Sequence, residues 1–203
     1  MTAARPKSAV TEPGSSMREK LLDVAVDCLI DLGVAGTTTL AVQRRAGVSR
    51  GALLHHFPTH ASLLAAAVMA IVERNELTVA RSLAHLQNAR DPLDAVIEAL
   101  ALAARQPAYL AELELWAVSR TDGDLREALK AAERSARRDF ERVYDKLFEP
   151  WSGSDAFEDV VLLTQNFITG LAISDNIRSS PRNRERLIAA WSKAVRVLLE
   201  HDT

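Results

Sequence analysis

Cysteine is nearly missing from this chain: there is one, Cys28, in 203 residues. An internal disulfide is therefore excluded, and a reducing cytoplasm is the simplest compartment. No uncharged apolar run approaches the ~18–20 residues that span a bilayer, so no membrane partner is expected. Neither sign of charge dominates, with 25 Lys and Arg against 27 Asp and Glu and a net charge of −2. Such a molecule does not attract polyanions as a whole; any nucleic-acid contact has to come from a local basic face. Residues 1–15 lack the continuous apolar core of a signal peptide and read as a disordered arm. No nucleotide-binding loop and no nucleophile elbow is found. His56 and His60 have the spacing of two ligands on one helix face, but Pro58 between them ends a helix. No cysteine or carboxylate pattern supplies a third ligand. No metal, no cofactor and no enzymatic activity are expected, and strand-like alternation is missing as well.

What is there is helical periodicity. Hydrophobic residues make up 48% of the chain, enough to bury a sizeable core at this length. A first helix is predicted over 16–32, with Leu21, Leu22, Ala25, Cys28, Leu29 and Leu32 forming one apolar stripe. Two short helices follow, and then a long one from Thr59 to about Asn88. Asp91-Pro92 opens a helix to about Arg105, since aspartate caps and proline suits the first helical position. Further helices are predicted over 109–120, 124–148, 155–177 (capped by Asp155) and 180–200, with a loop at 150–154. That gives an all-α chain of nine helices.

The two short helices are the most telling. In GVAGTTTLAVQRRAGVSRGALLHHF, residues 33–57, the first runs from about Leu40 to Ala46 with Thr38 or Thr39 as its cap. Gly47 supplies the sharp stop and Val48 tucks inward. Ser49 caps the second helix, Arg50 to Phe57, whose first residues are small apart from one guanidinium. This is a helix-turn-helix, whose second helix reads bases with its N-terminal residues.

The stretch from Arg18 to Leu64 resembles the DNA-binding domain of the tetracycline-repressor (TetR) family of bacterial regulators. The resemblance rests on Leu32-Gly33, Gly36-Thr37-Thr38-Thr39, the run from Arg45 to Gly51, and the His56-Phe57-Pro58 exit before a long helix. Leu54 stands where the family usually has a tyrosine, His60 where it usually has a lysine, and Gln43 where it usually has an alanine. The resemblance implies a three-helix DNA-binding domain over 16–60 and a helical effector-binding and dimerisation domain over 61–203.

Individual DNA contacts are argued from residue chemistry. The fork of Arg50 matches the O6 and N7 of guanine, with a phosphate contact as the alternative. Gly51 lets the backbone come close to DNA, and Ser49 lies on the same edge. Leu54 offers at most an apolar contact. His55 and His56 suit phosphates, and His56 equally suits packing between helices. Thr38 and Thr39 sit where free amides gather at a helix start. Arg44 adds charge on that side, and His60 suits a phosphate clamp.

In the rest of the chain, Tyr109, Glu112, Leu113, Trp116, Phe140 and Tyr144 are candidates for a mostly apolar effector pocket, with Glu114 and Arg120 as further polar anchors. Val160, Leu163, Phe167 and Leu171, with Leu187, Trp191, Val195 and Leu198, spread apolar surface over more than one face of the last two helices. A helix apolar on two sides needs two partners, a core and a second subunit. The family resemblance implies the same pairing, as an intermolecular four-helix bundle. The expected function is a homodimeric transcriptional regulator on a palindromic double-stranded operator, a repressor released by a small-molecule effector. The alternatives are a DNA-binding regulator without a small effector, and a helical enzyme or interaction module with a vestigial motif.

Overall fold

Ser16 opens the first helix, α1 (Met17–Gly36), through a reciprocal pair. Its Oγ accepts from the Glu19 N–H at 3.3 Å, and Glu19 Oε2 accepts from the Ser16 N–H at 2.6 Å. Two donors that a helix start leaves open are thereby satisfied. In the computed structural model, residues 16–85, 91–178 and 180–200 are described, apart from the side chains of residues 83, 85, 131–133 and 135–142. The expected arm and the end of the expected fourth helix, beyond residue 85, lie outside the described residues.

Leu21, Ala25, Cys28 and Leu29 are buried, as their helical spacing requires. Burial also pushes the Cys28 thiol up, which keeps it protonated and inert. Leu32 departs from the stripe and is 52% exposed. The helix breaks beside it, at Gly33 (φ +68°, ψ −179°), and Leu32 instead covers Gly36, where an added Cβ would stand 2.7 Å from its own.

After α1 come α2 (Thr39–Ala46), α3 (Arg50–His56), α4 (His60–His85), α5 (Pro92–Ala103), α6 (Pro107–Ser119), α7 (Gly123–Phe148), α8 (Phe157–Ile177) and α9 (Pro181–Glu200). Nine α-helices and no strand occur among the described residues. A tenth element, a 3₁₀ turn at Glu149–Trp151, occupies part of the segment expected as a loop. It delays the start of α8, so Asp155 caps nothing; the Ser154 hydroxyl accepts from the Ala156 N–H at 3.2 Å instead. Asp91 does cap α5, accepting from the Leu93 and Asp94 N–H groups at 2.9 and 3.2 Å.

Two cores share the long α4. The first gathers α1, α2, α3 and the front of α4, and is closed by Ala111 and Leu115 of α6 and Leu125 and Leu129 of α7. The second joins Val79 of α4 to α5, the end of α7, α8 and α9. Arg184 of α9 is buried and tied to the Asp175 carboxylate and the Ala101 carbonyl, so its charge is paired rather than stranded. At the other end of α9, Arg196 reaches Asp91 at 2.7 Å and Asp94 at 3.2 Å. That guanidinium holds the Asp91 carboxyl below its ordinary range.

Candidate nucleic-acid interface and effector crevice

Between Leu32 and Val72 the chain has no aspartate or glutamate, yet it carries Arg44, Arg45, Arg50, His55, His56 and His60. A chain of net charge −2 thus has a local region that is only basic, the requirement set above for nucleic-acid contact. The folding of that region is local. Thr38 Oγ1 accepts from the Ala41 N–H at 3.1 Å and starts α2. Gly47 (φ +68°, ψ 35°) ends it, with Val48 N–H donating to the Gln43 carbonyl at 3.2 Å. Ser49 Oγ then accepts from the Ala52 N–H at 3.2 Å and starts α3. Each capping oxygen accepts one hydrogen bond and keeps its own O–H to donate outward.

The candidate contacts divide clearly. Thr38, Arg44, Ser49, Arg50, Gly51, His55 and His60 are exposed, and Thr39, Leu54 and His56 are half-buried. Among the described residues neither Arg44 nor Arg50 has an ion-pair partner. Arg45 does, with Asp31 of α1 at 2.6 Å, which fastens α2 to α1. Gly51 has no packing reason to be glycine: an added Cβ would meet only Ser49 Oγ, at 3.9 Å. Leu54 packs on the first core. His60 Nε2 lies 2.6 Å from the Thr37 carbonyl, so that nitrogen is the donor and ties the start of α4 to the turn before α2. Arg18 lies over the Phe57 ring, 5.3 Å from its centre, and so joins α1 to the end of α3.

The other end of α1 is held from farther away. Glu114 of α6 accepts the Val34 N–H at 2.9 Å, closing the break at Gly33. A Cβ on Gly33 would stand 2.9 Å from Glu114 Oε1. Glu114, read from sequence as a pocket anchor, therefore points to α1. A second link runs from α4, whose Arg74 pairs with Asp23 and Asp27 of α1 at 3.1 and 3.3 Å.

Behind this frame α4, α5, α6, α7 and α8 enclose a narrow crevice. Tyr109, Glu112 and Tyr144 line it, with Val79, Leu100 and Ile168 among its apolar walls. Tyr109 shares a 3.0 Å hydrogen bond with Thr169 of α8, and Tyr144 is buried and stacked with Phe148. Glu112 Oε2 accepts from Asn75 Nδ2 at 2.7 Å. Burial pushes the Glu112 carboxyl up to about 7, because the ionised form loses water there. Trp116 lines a shallower groove on the other side of Glu112, and Leu113 packs on the second core without lining the crevice. The Phe140 side chain lies outside the described ones. Asn75 and Glu76, which also line the crevice, were missed in the sequence: two polar residues in a long helix carry no periodic signal.

Residues 21–67 match the family model for bacterial regulatory proteins of the tetR family. Over these residues the chain is of the TetR family, and it is a DNA-binding transcriptional regulator. Among similar proteins, this TetR-family chain is 28% identical over 169 residues to the HTH-type transcriptional regulator CymR of Pseudomonas putida, with 83% of each chain covered. It is 27% identical over 176 residues to an uncharacterised HTH-type transcriptional regulator of Mycobacterium tuberculosis, covering 83% of this chain and 87% of the relative. The fold resembles that of a transcriptional regulator from Rhodococcus (TM-score 0.64, 22% identity, 91% of this chain and 97% of the other). It also resembles the multidrug binding protein EbrR in complex with proflavin (TM-score 0.61, 18% identity, 88% and 99%).

In this TetR-family regulator the apolar candidates on the last two helices have several locations. Val160, Leu171 and Val195 are buried in the chain's own second core. Phe167 and Trp191 are half-buried and stacked, ring centres 5.2 Å apart, with Trp191 Nε1 donating to Thr164 at 3.1 Å. Leu187 is half-buried, and Leu163 and Leu198 are exposed. An outward stripe on α8, Leu162, Asn166, Gly170, Ile173 and Ile177, is exposed and largely apolar, and Val197 on α9 is exposed as well.

Proposed function

We propose that this TetR-family protein is a cytoplasmic homodimeric repressor that holds a near-palindromic operator and releases it when a small molecule enters the crevice. The observation that carries the DNA-binding part is the start of α3, where Ser49, Arg50 without an ion pair among the described residues, and an uncrowded Gly51 are exposed within a stretch of chain that has no carboxylates. Arg50 reads a base, while Thr38, Thr39, Arg44, His55 and His56 hold phosphates; Leu54 adds an apolar contact, and His60 does so with whatever its bond to Thr37 leaves free. The unit over 16–60 serves DNA, and 61–203 serves the effector and the second subunit.

The homodimer is supported by the outward stripe on α8 and by Val197 on α9, whose apolar side chains are left exposed. Leu163, Leu198, Phe167, Leu187 and Trp191 flank it; Val160, Leu171 and Val195 support it from beneath. A twofold pair presents two α3 helices to successive major grooves about 34–36 Å apart, which makes the operator a near-palindrome. An effector role for the crevice is supported by its mostly apolar walls and few polar groups, and by the likeness to a multidrug binding protein solved with a small molecule. Effector binding displaces α4, whose first residue His60 is fastened beneath the recognition pair. Only a ligand that prefers the displaced state shifts the equilibrium.

Selection of bound duplexes from random DNA, followed by titration at two salt concentrations, tests this reading. Recovery of a palindrome bound by two subunits, with a steep loss of affinity in salt, is expected. Failure of refolded, ligand-free protein to enrich any sequence overturns it. On the recovered site Arg50→Ala costs about 1–3 kcal/mol and relaxes preference at one position; uniform weakening on all sequences reduces Arg50 to a phosphate contact.

A further inference from the structure

The polar side of the crevice is rich in acceptors, and the Tyr109 hydroxyl at its edge is taken up by Thr169. Glu112 takes one hydrogen bond, from Asn75 Nδ2. That bond uses the donor side of the amide; Asn75 Oδ1 is buried and has no hydrogen-bond partner among the described residues. Glu76, the next residue of α4, lines the same crevice. Among the described residues no lysine or arginine lines it. Arg126 and Lys130 lie in the shallower groove beyond Glu112, occupied by the Arg120 carbonyl at 3.4 Å and by Glu127 at 2.8 Å. The remaining walls are aliphatic, with the Tyr109 and Tyr144 rings among them.

A buried acceptor without a donor is costly, and a buried carboxyl without a cation resists ionisation. Both deficits are removed by the same ligand feature, a positively charged N–H donor. A ligand carboxylate would be set against the Glu112 and Glu76 carboxyls and Asn75 Oδ1, and a neutral molecule leaves an ionised Glu112 uncompensated. We propose that the crevice binds an organic cation: a compact apolar or aromatic body bearing a protonated amine, with its N–H groups on Glu112 and Asn75 Oδ1 and its body against Tyr109 and Tyr144. Aromatic faces add attraction for the cation once water is excluded. The assignment rests on the effector reading above and names the chemical class of that effector. The crevice as it stands has little room beyond a water molecule, so the cation parts α4 from α6 as it enters. Asn75 lies next to Arg74, which is bound to α1, so the parting acts directly on the recognition end.

Three probes of matched shape test the proposal: 2-naphthylmethylamine, 2-naphthylmethanol and 2-naphthoate, each titrated calorimetrically into the full-length wild-type protein at mildly alkaline pH. The amine is expected to bind about tenfold or more tighter than the alcohol, with no detectable binding of naphthoate. In Glu112→Gln, checked for cooperative unfolding, the amine loses about tenfold or more while the alcohol holds its affinity. If that variant does not fold, the ranking of the three probes on the wild type decides alone. Equal or tighter binding of the alcohol or the acid, an unchanged amine affinity in folded Glu112→Gln, or no binding of any probe overturns the cation assignment. Amine binding in the expected order with no effect on operator affinity leaves the cation site standing and overturns the release mechanism. Operator release by an acid or a neutral compound, with no amine binding, does the reverse.

Discussion

Gly33 in α1 and Gly170 in α8 are glycine for opposite reasons. At Gly33 the backbone is left-handed and a Cβ would meet the Glu114 carboxylate at 2.9 Å; at Gly170, in mid-α8, nothing lies within 4 Å of the same position. The chain itself demands the first glycine. Nothing in the chain demands the second, and it sits on the exposed stripe with Leu162 and Ile173. The recognition end is therefore complete within one chain, whereas the far end carries features that make sense against another surface.

The sharpest way to break that contrast is to charge the stripe. Ile173→Glu is expected to leave secondary structure intact, give a monomer in sedimentation, and lower operator affinity about a hundredfold or more through lost bivalency. A monomer that keeps full affinity for the palindrome removes the need for a second copy. Gly33→Ala is the matching change at the other end, expected to cost about 1–3 kcal/mol in denaturant unfolding because the backbone there is nearly glycine-only. A neutral result means that α1 does not need its break.

A smaller effect follows from Glu112. Its folded carboxyl is raised from 4.5 to about 7, so the folded state holds the proton more tightly than the unfolded one. The sign is then fixed: this group's contribution is fully present below about pH 4.5 and is lost as pH rises to about 7. Among the described residues, Glu76 of α4, Tyr109 of α6 and Tyr144, Arg126 and Lys130 of α7 are the charged or titratable groups lining the spaces around it, and α5 and α8 present apolar side chains there. Unfolding free energies measured across this window should slope downward in the wild type and less in Glu112→Gln; parallel curves place the titration elsewhere. The smallest stability change belongs to Gly51→Ala, expected to be neutral or stabilising by about 0.5–1 kcal/mol as a helix substitution. Operator affinity should nevertheless fall, since the added methyl projects from the exposed edge of α3 proposed to meet DNA. Unchanged affinity separates α3 from DNA at that point.

The same contrast explains what was legible beforehand. Thr38, Gly47 and Ser49 act on backbone groups within four residues of themselves, so the turn between α2 and α3 is written in adjacent letters. Glu114 acts on Val34 from 80 residues away, and no local pattern announces it. On α8, apolar residues occupy both faces, so periodicity gives a helix without telling which side is inward. Val160 and Leu171 go to the chain's own core, and Leu162, Ile173 and Ile177 go outward. Asn75 and Glu76 acquire meaning only because α6 brings Glu112 to them.

The first core also bears on how such regulators can be rebuilt. Its far wall consists of Ala111, Leu115, Leu125 and Leu129, from helices outside the helix pair. A graft of residues 16–60 onto another sensor would carry half of a jigsaw and meet a foreign set of shapes on the other side. Operator preference is more safely exchanged by replacing the exposed edge of α3 alone. Whole-segment chimeras need α6 and the start of α7 to travel with the recognition pair.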